Sequence, residues 1–272
     1  MAGARPGNAA DTAWALLDDA YELAQVVCLR FGYYDLGALA ARCGRDAATK
    51  AGDPVRAAVA AFRYTGARLR RGDHAGVLRA LDRAHGLIES EHSPTADAVR
   101  TVVHLRQARV QARLGARDRA DEHVGEARRL LVSGIPTRPY YSVNATPANI
   151  EMHHVEVPVE LADGTTAVSR AEQVQFLPDT HATIAGHHWV NVARAWTLHG
   201  DRAKALAALQ EARRIAPQQT RYHPSVHETV HLLAEHGRRA TDSLAGFARW
   251  AGITLEARCP HRDGVPTERG AL

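Results

Sequence analysis

Between His187 and Pro217 the chain reads HHWVNVARAWTLHGDRAKALAALQEARRIAP, and its apolar positions follow two successive helical periods. Trp189, Val192, Ala193 and Trp196 recur at three- and four-residue steps, which places them on one stripe of a helix. Gly200-Asp201 interrupts the stripe, Ala205, Leu209 and Ala212 resume it, and Pro217 ends it. The pattern predicts two amphipathic helices of about 14 residues joined by a glycine turn, with alanines where backbones approach.

The same punctuation recurs upstream. In TAWALLDDAYELAQVVCLRFG the positions Trp14, Leu17, Tyr21, Ala24 and Cys28 share a helical face, and Gly32 closes the helix. Its partner, YDLGALAARCGRDAATKAGDP, is expected to turn Leu36, Leu39, Ala40 and Cys43 inward and to stop at Gly52-Asp53-Pro54. A second pair turns at Gly72-Asp73, and a third opens at Ser93-Pro94 and turns at Gly115. The turn glycines Gly32, Gly72, Gly115 and Gly200 lie 40, 43 and 85 residues apart, so the last interval holds one further, degenerate repeat.

That repeat falls in TPANIEMHHVEVPVELADGTTAVSRAEQV, where two readings compete. Val155, Val157, Val159 and Leu161 alternate and Asp163-Gly164 is a hairpin turn, which fits a strand pair; Pro158 also opposes a helix. Against this, a lone hairpin among helices would expose two bare edges, and the repeat phase places a helix end near Ala162-Asp163. A helix kinked near Pro158 is the expectation, and the hairpin is the alternative. The segment SGIPTRPYYSVNATP before it is a loop long enough to fold over a surface. After Pro217, HPSVHETVHLLAEHG and SLAGFARWAGITL predict two capping helices.

Helical hairpins with this phase of aromatic, alanine, glycine and proline positions resemble tetratricopeptide repeats. The resemblance implies an all-α fold: a right-handed tetratricopeptide-like solenoid of about five hairpins plus C-terminal capping helices, forming one domain over residues 12–255. Residues 1–11 read as a disordered lead-in and 256–272 as a flexible tail rich in polar residues, proline and glycine.

Three further stretches resemble one family: LLDDAYELAQVVCLRFGYYDLGALAARCGRDAATKAGDP, PANIEMHHVEVPVEL and APQQTRYHPSVHETVHLL. They look like the carboxy-terminal sensor or effector region of actinobacterial Xre-type transcriptional regulators, in which a helix-turn-helix precedes a tetratricopeptide array. Pro147, Asn149 and His153 match that family's middle motif. The sequence departs from the family at Pro158 and at Asp163-Gly164-Thr165-Thr166. Only about eleven residues precede the first repeat helix, too few for a helix-turn-helix: either this is a stand-alone relative without a DNA reader or the reader lies outside the sequence given, and no direct DNA binding is expected from the chain as given.

Composition adds little to this and contradicts none of it. Forty-five per cent hydrophobic residues over 272 positions suffice for a substantial core, and few aromatics beside many alanines suit stacked helices. The formal charge of +4 is a mixed surface of 34 cationic and 30 anionic side chains, and no nucleic-acid groove follows from it. Cys28, Cys43 and Cys259 are odd in number and lack a C-x-x-C spacing, which suggests a reduced, cytoplasmic setting. No signal peptide or membrane span is apparent.

In such an array the first helix of each pair lines the concave face. Aligning those helices by their turns puts Val26, Arg109, Glu156 and Arg194 at equivalent positions, with Asp19, Glu22, Asn149 and His187 one or two turns toward the amino ends. Two readings follow. Arg109, Glu156 and Arg194 form a ladder that ties repeats together, or Arg109 or Arg194 holds a carboxylate or phosphate while Asn149 and His153 orient it. His153 equally suits a core histidine.

Among the sixteen histidines, His223, His227 and His231 stack at four-residue steps, but no carboxylate shell completes a metal site, and none is expected. Nucleophile elbows, P-loops and dinucleotide motifs are absent from the sequence, so neither catalysis nor a cofactor is expected. The expectation is a regulatory module that binds a small molecule, peptide or partner protein in its concave groove, with a homodimer possible. The alternative is an adaptor that sequesters a full-length regulator, and a pathway enzyme on this scaffold ranks below both.

Overall fold

A computed structural model describes residues 9–131, 143–176, 180–235 and 242–255. The described residues are helical and contain no strand. The helices are α1 (Ala9–Arg30), α2 (Tyr34–Lys50), α3 (Pro54–Arg70), α4 (His74–Leu87), α5 (Pro94–Arg113), α6 (Arg117–Leu130) and α7 (Pro147–Glu160). They continue with α8 (Gly164–Ala171), α9 (Ala182–His199), α10 (Arg202–Ile215), α11 (Pro217–Arg221), α12 (Pro224–Glu235) and α13 (Asp242–Ala251). The 256–272 tail with Cys259, residues 1–8 and most of the Pro-rich loop before Asn144 lie outside the described residues. Helix α1 starts at Ala9, three residues before the expected boundary.

Each predicted pair packs as a hairpin: α1 on α2, α3 on α4, α5 on α6, α7 on α8 and α9 on α10. The first helices also meet one another, α3 with α5, α5 with α7 and α7 with α9. Short connections make each pair antiparallel. One capping geometry repeats at the turn inside every pair, in which a residue just past the helix donates its amide to the carbonyl five residues earlier. Tyr33 donates to Cys28, Asp73 to Arg68, Ala116 to Gln111, Asp163 to Pro158 and Asp201 to Trp196. The residue before each donor is left-handed, and it is glycine at 32, 72, 115 and 200 but Ala162 (φ 57°) in the fourth pair. The degenerate repeat is therefore a full hairpin whose turn lacks its glycine.

Helix wins over the strand reading between Thr146 and Asp163. Thr146 caps α7 by accepting from the Asn149 amide, and the helix runs through Pro158. Proline leaves the carbonyl of His154 without its helical donor, and the Arg170 guanidinium of α8 donates to it at 3.0 Å. Gly164 is required for a different reason: a Cβ there would sit 2.6 Å from the His199 backbone nitrogen, so α8 starts hard against the end of α9.

The first hairpin departs from expectation. Helix α1 buries Asp18, Glu22 and Gln25, whereas Leu17 and Ala24, expected to face inward, are exposed, as are Leu16, Leu23 and Val27. Leu36 and Leu39 of α2 also face outward, while its small residues Gly37, Ala40, Ala41, Gly44, Ala47 and Ala48 are buried. The cause is a buried ion network beneath α1. Asp18 pairs with Arg56 (2.8 Å) and Arg63, Glu22 pairs with Arg63 (2.9 Å), and Asp19 pairs with Arg56. Once these charges take the inner face, the leucines are left outside. A Cβ on Gly44 would come within 3.1 Å of the Asp18 carboxylate, so only a very small residue fits above the network.

Elsewhere apolar clusters join neighbouring hairpins. One cluster joins α3, α4 and α5 through Val59, Leu81 and Val103, a second joins α5, α6 and α7, and a third gathers α9, α10, α12 and α13 around Leu209, Val230 and Phe247. Trp189 and Trp196 pack against the third as partly buried walls.

The left-handed alanine generates a stability prediction. Ala162→Gly should stabilise the fold by about 0.5–1 kcal/mol, and Gly200→Ala, where a Cβ meets nothing, should cost a similar amount by strain alone. Urea unfolding of the two variants checks the sign of each.

Candidate functional site

The first helices of the third, fourth and fifth hairpins are joined by one ion network. Glu160, at the end of α7, receives Arg113 of α5 through two bonds of 2.9 and 3.2 Å and Arg194 of α9 at 3.1 Å, with Arg109 at 3.6 Å. One turn earlier, Glu156 is fully buried and lies 3.2 Å from Arg109 Nε and 2.8 Å from His153 Nδ1. The Arg109 Nε and Glu156 Oε1 atoms are close but misaligned, and neither makes a hydrogen bond among the described residues. Burial pushes the Glu156 carboxyl up, yet Arg109 and His153 outweigh it and hold the group well below the usual carboxylate range. Burial and the neighbouring Glu156 likewise push Glu160 up, and its three arginines bring it below its ordinary value.

The predicted ladder thus exists with a shift of one turn: Arg109 faces Glu156, but Arg194 faces Glu160. Glu160 and Arg113 were missed. Each lies four residues beyond a named member on the same helical face, so the signal was present in the spacing.

Beside this network lies a cavity of about 790 Å³, bounded by α1, α2, α3, α5, α9 and the start of α12. Its wall carries Arg63, Arg70, Arg71, Arg106, Arg109 and Arg113. His187 and His223 join them, and its apolar lining includes Val26, Leu29, Phe62 and Leu69. Asp35 and Glu228 are the carboxylates on the wall. The turn of the first hairpin and the residue after α11 meet at its rim: the Tyr34 hydroxyl donates to the Tyr222 carbonyl, and the Phe31 and Tyr222 rings lie 6.3 Å apart.

Of the eight sequence-derived candidates, Arg109 and His187 line this cavity, and Glu156, His153 and Arg194 stand behind it in the ion network. Asn149 is elsewhere, where its side chain donates to the Asn144 carbonyl at 2.7 Å and fixes the loop entering α7. Asp19 and Glu22 belong to the ion network between α1 and α3. The cavity arginines of α3 and α5, Arg70 and Arg106, were not singled out, because the alignment of first helices followed one position per helix.

The histidine triplet does not converge. His223 precedes the first turn of α12, accepts from the Ser225 amide through Nδ1 (3.2 Å), and packs its ring 5.1 Å from that of His187. This bond puts the proton of the neutral ring on Nε2. His227 instead meets the Arg221 carbonyl at 2.8 Å. A different histidine row crosses α4, α5 and α6: His85 and His104 rings stand 5.4 Å apart, and His104 and His123 share a 3.0 Å Nδ1–Nδ1 contact. Among the described residues no group of three or more His, Cys, Asp or Glu side chains is arranged to hold a metal ion, and no helix is long and apolar enough to cross a membrane.

Comparison of the chain with models of protein families, with curated proteins and with solved structures gives no match.

Burial drives the histidines of the interior toward the neutral form. It lowers His104, His187 and His188 to about 4, and at His187 Arg109 adds to the effect while Glu156 opposes it. Burial, then His187 and Arg109, also hold His223 well below its ordinary value. An unfolded histidine takes up its proton near 6.5, so the unfolded state binds more protons as pH falls. Stability should be full above pH 6.5 and decline between 6.5 and about 4. The slope is expected to approach about 1.4 kcal/mol per pH unit for each such histidine. Urea midpoints across this range check it, and His187→Gln should make the curve shallower; an unchanged curve would show that His187 is not buried in neutral form.

Proposed function

We propose that the chain is a non-enzymatic, cytoplasmic regulatory module, built as a tetratricopeptide-like right-handed solenoid, that binds a small molecule in its central cavity. The observation that carries this reading is the cavity itself. About 790 Å³ is the size of a drug-like ligand site, and arginines, histidines and apolar groups together line it. The repeated hairpins and the stacking of α3, α5, α7 and α9 support the solenoid reading. The contact between Tyr34 and Tyr222 favours a compact ligand over an extended peptide, because the groove does not run open past that rim.

A non-catalytic role is favoured by the placement of acid–base pairs. The His153–Glu156 pair, 2.8 Å apart, lies behind the cavity wall, where it supports Arg109. The resemblance to sensor regions of Xre-type regulators suggests that binding reports a signal to transcriptional control of differentiation or specialised metabolism.

One observation favours the adaptor reading. Among the described residues, eight of the twelve exposed large hydrophobics fall between Leu16 and Leu39, including Leu16, Leu23, Val27 and Leu36. On that reading this face meets a second array of the same kind, such as another copy of the chain. Sedimentation at micromolar concentration should then show a dimer that Leu23→Lys dissociates, and a strict monomer would exclude self-pairing.

The cavity reading is tested by closing the cavity. Ala67 lines it from α3, and Ala67→Trp should fill it. In a thermal-shift screen of small organic molecules, compounds that stabilise the wild type should fail to stabilise the variant. Equal shifts in both proteins would place binding elsewhere and remove the support for this function.

A further inference from the structure

The inward guanidiniums are not equivalent. Arg63 is matched by Asp18 and Glu22, and Arg109 and Arg113 are matched by Glu156 and Glu160. Arg70 and Arg106 meet no carboxylate within ion-pair distance among the described residues. Each lies over an aromatic ring of the cavity instead: Arg70 at 4.1 Å from the centre of Tyr34, and Arg106 at 4.8 Å from that of Phe62. A guanidinium held over a ring keeps in-plane N–H groups for an oxyanion, and Arg70, which also hydrogen-bonds Tyr34, has N–H groups beyond that one; two such groups match two oxygens of a phosphate.

Three features bring these side chains to one place. Arg70 follows Gly66 by one turn of α3, and the Arg106 terminal nitrogen lies 3.5 Å from where a Gly66 Cβ would stand. Arg109 follows Arg106 by one turn of α5, and its Nε is the atom left without a hydrogen bond beside Glu156. The interior also responds as a cationic site. Burial and then Arg109, with Arg70 and Arg113, lower the Arg106 guanidinium to about 10, against an opposing Glu156. His223 is disfavoured as a cation by Arg109, Arg70 and Arg194 as well as by burial. Asp35 and Glu228 are the acids on the wall, and both are exposed. Leaving a buried guanidinium without a counter-charge costs stability, and a bound dianion removes that cost.

Building on the binding-module reading, we propose that the cavity takes a small phosphate monoester. Its dianionic head sits among Arg70, Arg106 and Arg109, and its aromatic or aliphatic body lies against Val26 and Leu29 of α1. Neutral His187 and His223 contribute ring N–H donors beside the head group. Glu156 and Glu160 hold Arg109 from behind, so they position the cradle and do not contact the ligand.

The test is calorimetric titration of the wild type with phenyl phosphate, benzoate, benzyl alcohol and inorganic phosphate. Phenyl phosphate should bind saturably, and benzoate and inorganic phosphate should each bind weaker by about tenfold or more, since each lacks either the second charge or the apolar body. Arg106→Gln and, independently, Arg70→Gln should each weaken phenyl phosphate by about tenfold or more; Arg70 is exposed, so its loss does not threaten folding. Raising the salt concentration should weaken phenyl phosphate and leave any benzyl alcohol binding unchanged. Equal affinity for benzyl alcohol and phenyl phosphate, or phenyl phosphate binding indifferent to both substitutions, overturns the proposal. If neutral compounds stabilise the wild type but not Ala67→Trp while phosphates do neither, the cavity is a ligand site and the phosphate assignment is wrong. If no compound of either kind separates the wild type from Ala67→Trp, the binding reading falls and this proposal falls with it.

Discussion

The carboxylate of Glu160 sits where three helices must agree. It accepts from Arg113 of α5 and Arg194 of α9 while standing on α7, and it lies within reach of Arg109. A buried ion pair contributes little net stability against an apolar alternative, but removing one partner strands a charge, so such a network fixes register more than it adds energy. Here the register decides what the cavity presents. Because Glu156 and Glu160 take up Arg109 and Arg113, those two guanidiniums stay on the wall paired, while Arg70 and Arg106 lie over Tyr34 and Phe62 with no carboxylate in ion-pair distance among the described residues.

Much of the architecture was legible because turns and caps are local. Gly72-Asp73 and Gly200-Asp201 declare a left-handed residue followed by an aspartate N-cap, and those two requirements are met within four residues of chain. Repeat phase also located the fourth hairpin despite Ala162 and Pro158. What the sequence hid there is the non-local compensation, since the carbonyl released by Pro158 finds its donor on Arg170, in the next helix. Period-two alternation misled in the same stretch because Val155, Val157 and Val159 are all buried: a helix packed on several sides shows no amphipathic period.

The α1 face failed for a related reason. Periodicity identifies a stripe but assumes that the apolar stripe is the one inside, and Asp18, Glu22 and Gln25 form an equally regular stripe. Which of the two turns inward depends on Arg56 and Arg63, some 40 residues away on α3. The candidate site shows the same limit. Equivalent positions on first helices led to Arg109 and His187, whereas Arg70 and Arg106 become neighbours only when α3 and α5 pack.

An open solenoid behaves as a one-dimensional chain whose stability grows by a fixed increment with each unit added, and whose length evolution can alter freely. The bond from the Tyr34 hydroxyl to the Tyr222 carbonyl spans 188 residues and joins the first hairpin to the residue that follows α11. On the solenoid proposed above, that contact makes hairpin number a closure condition: inserting or deleting one pair would part the two tyrosines and open the cavity.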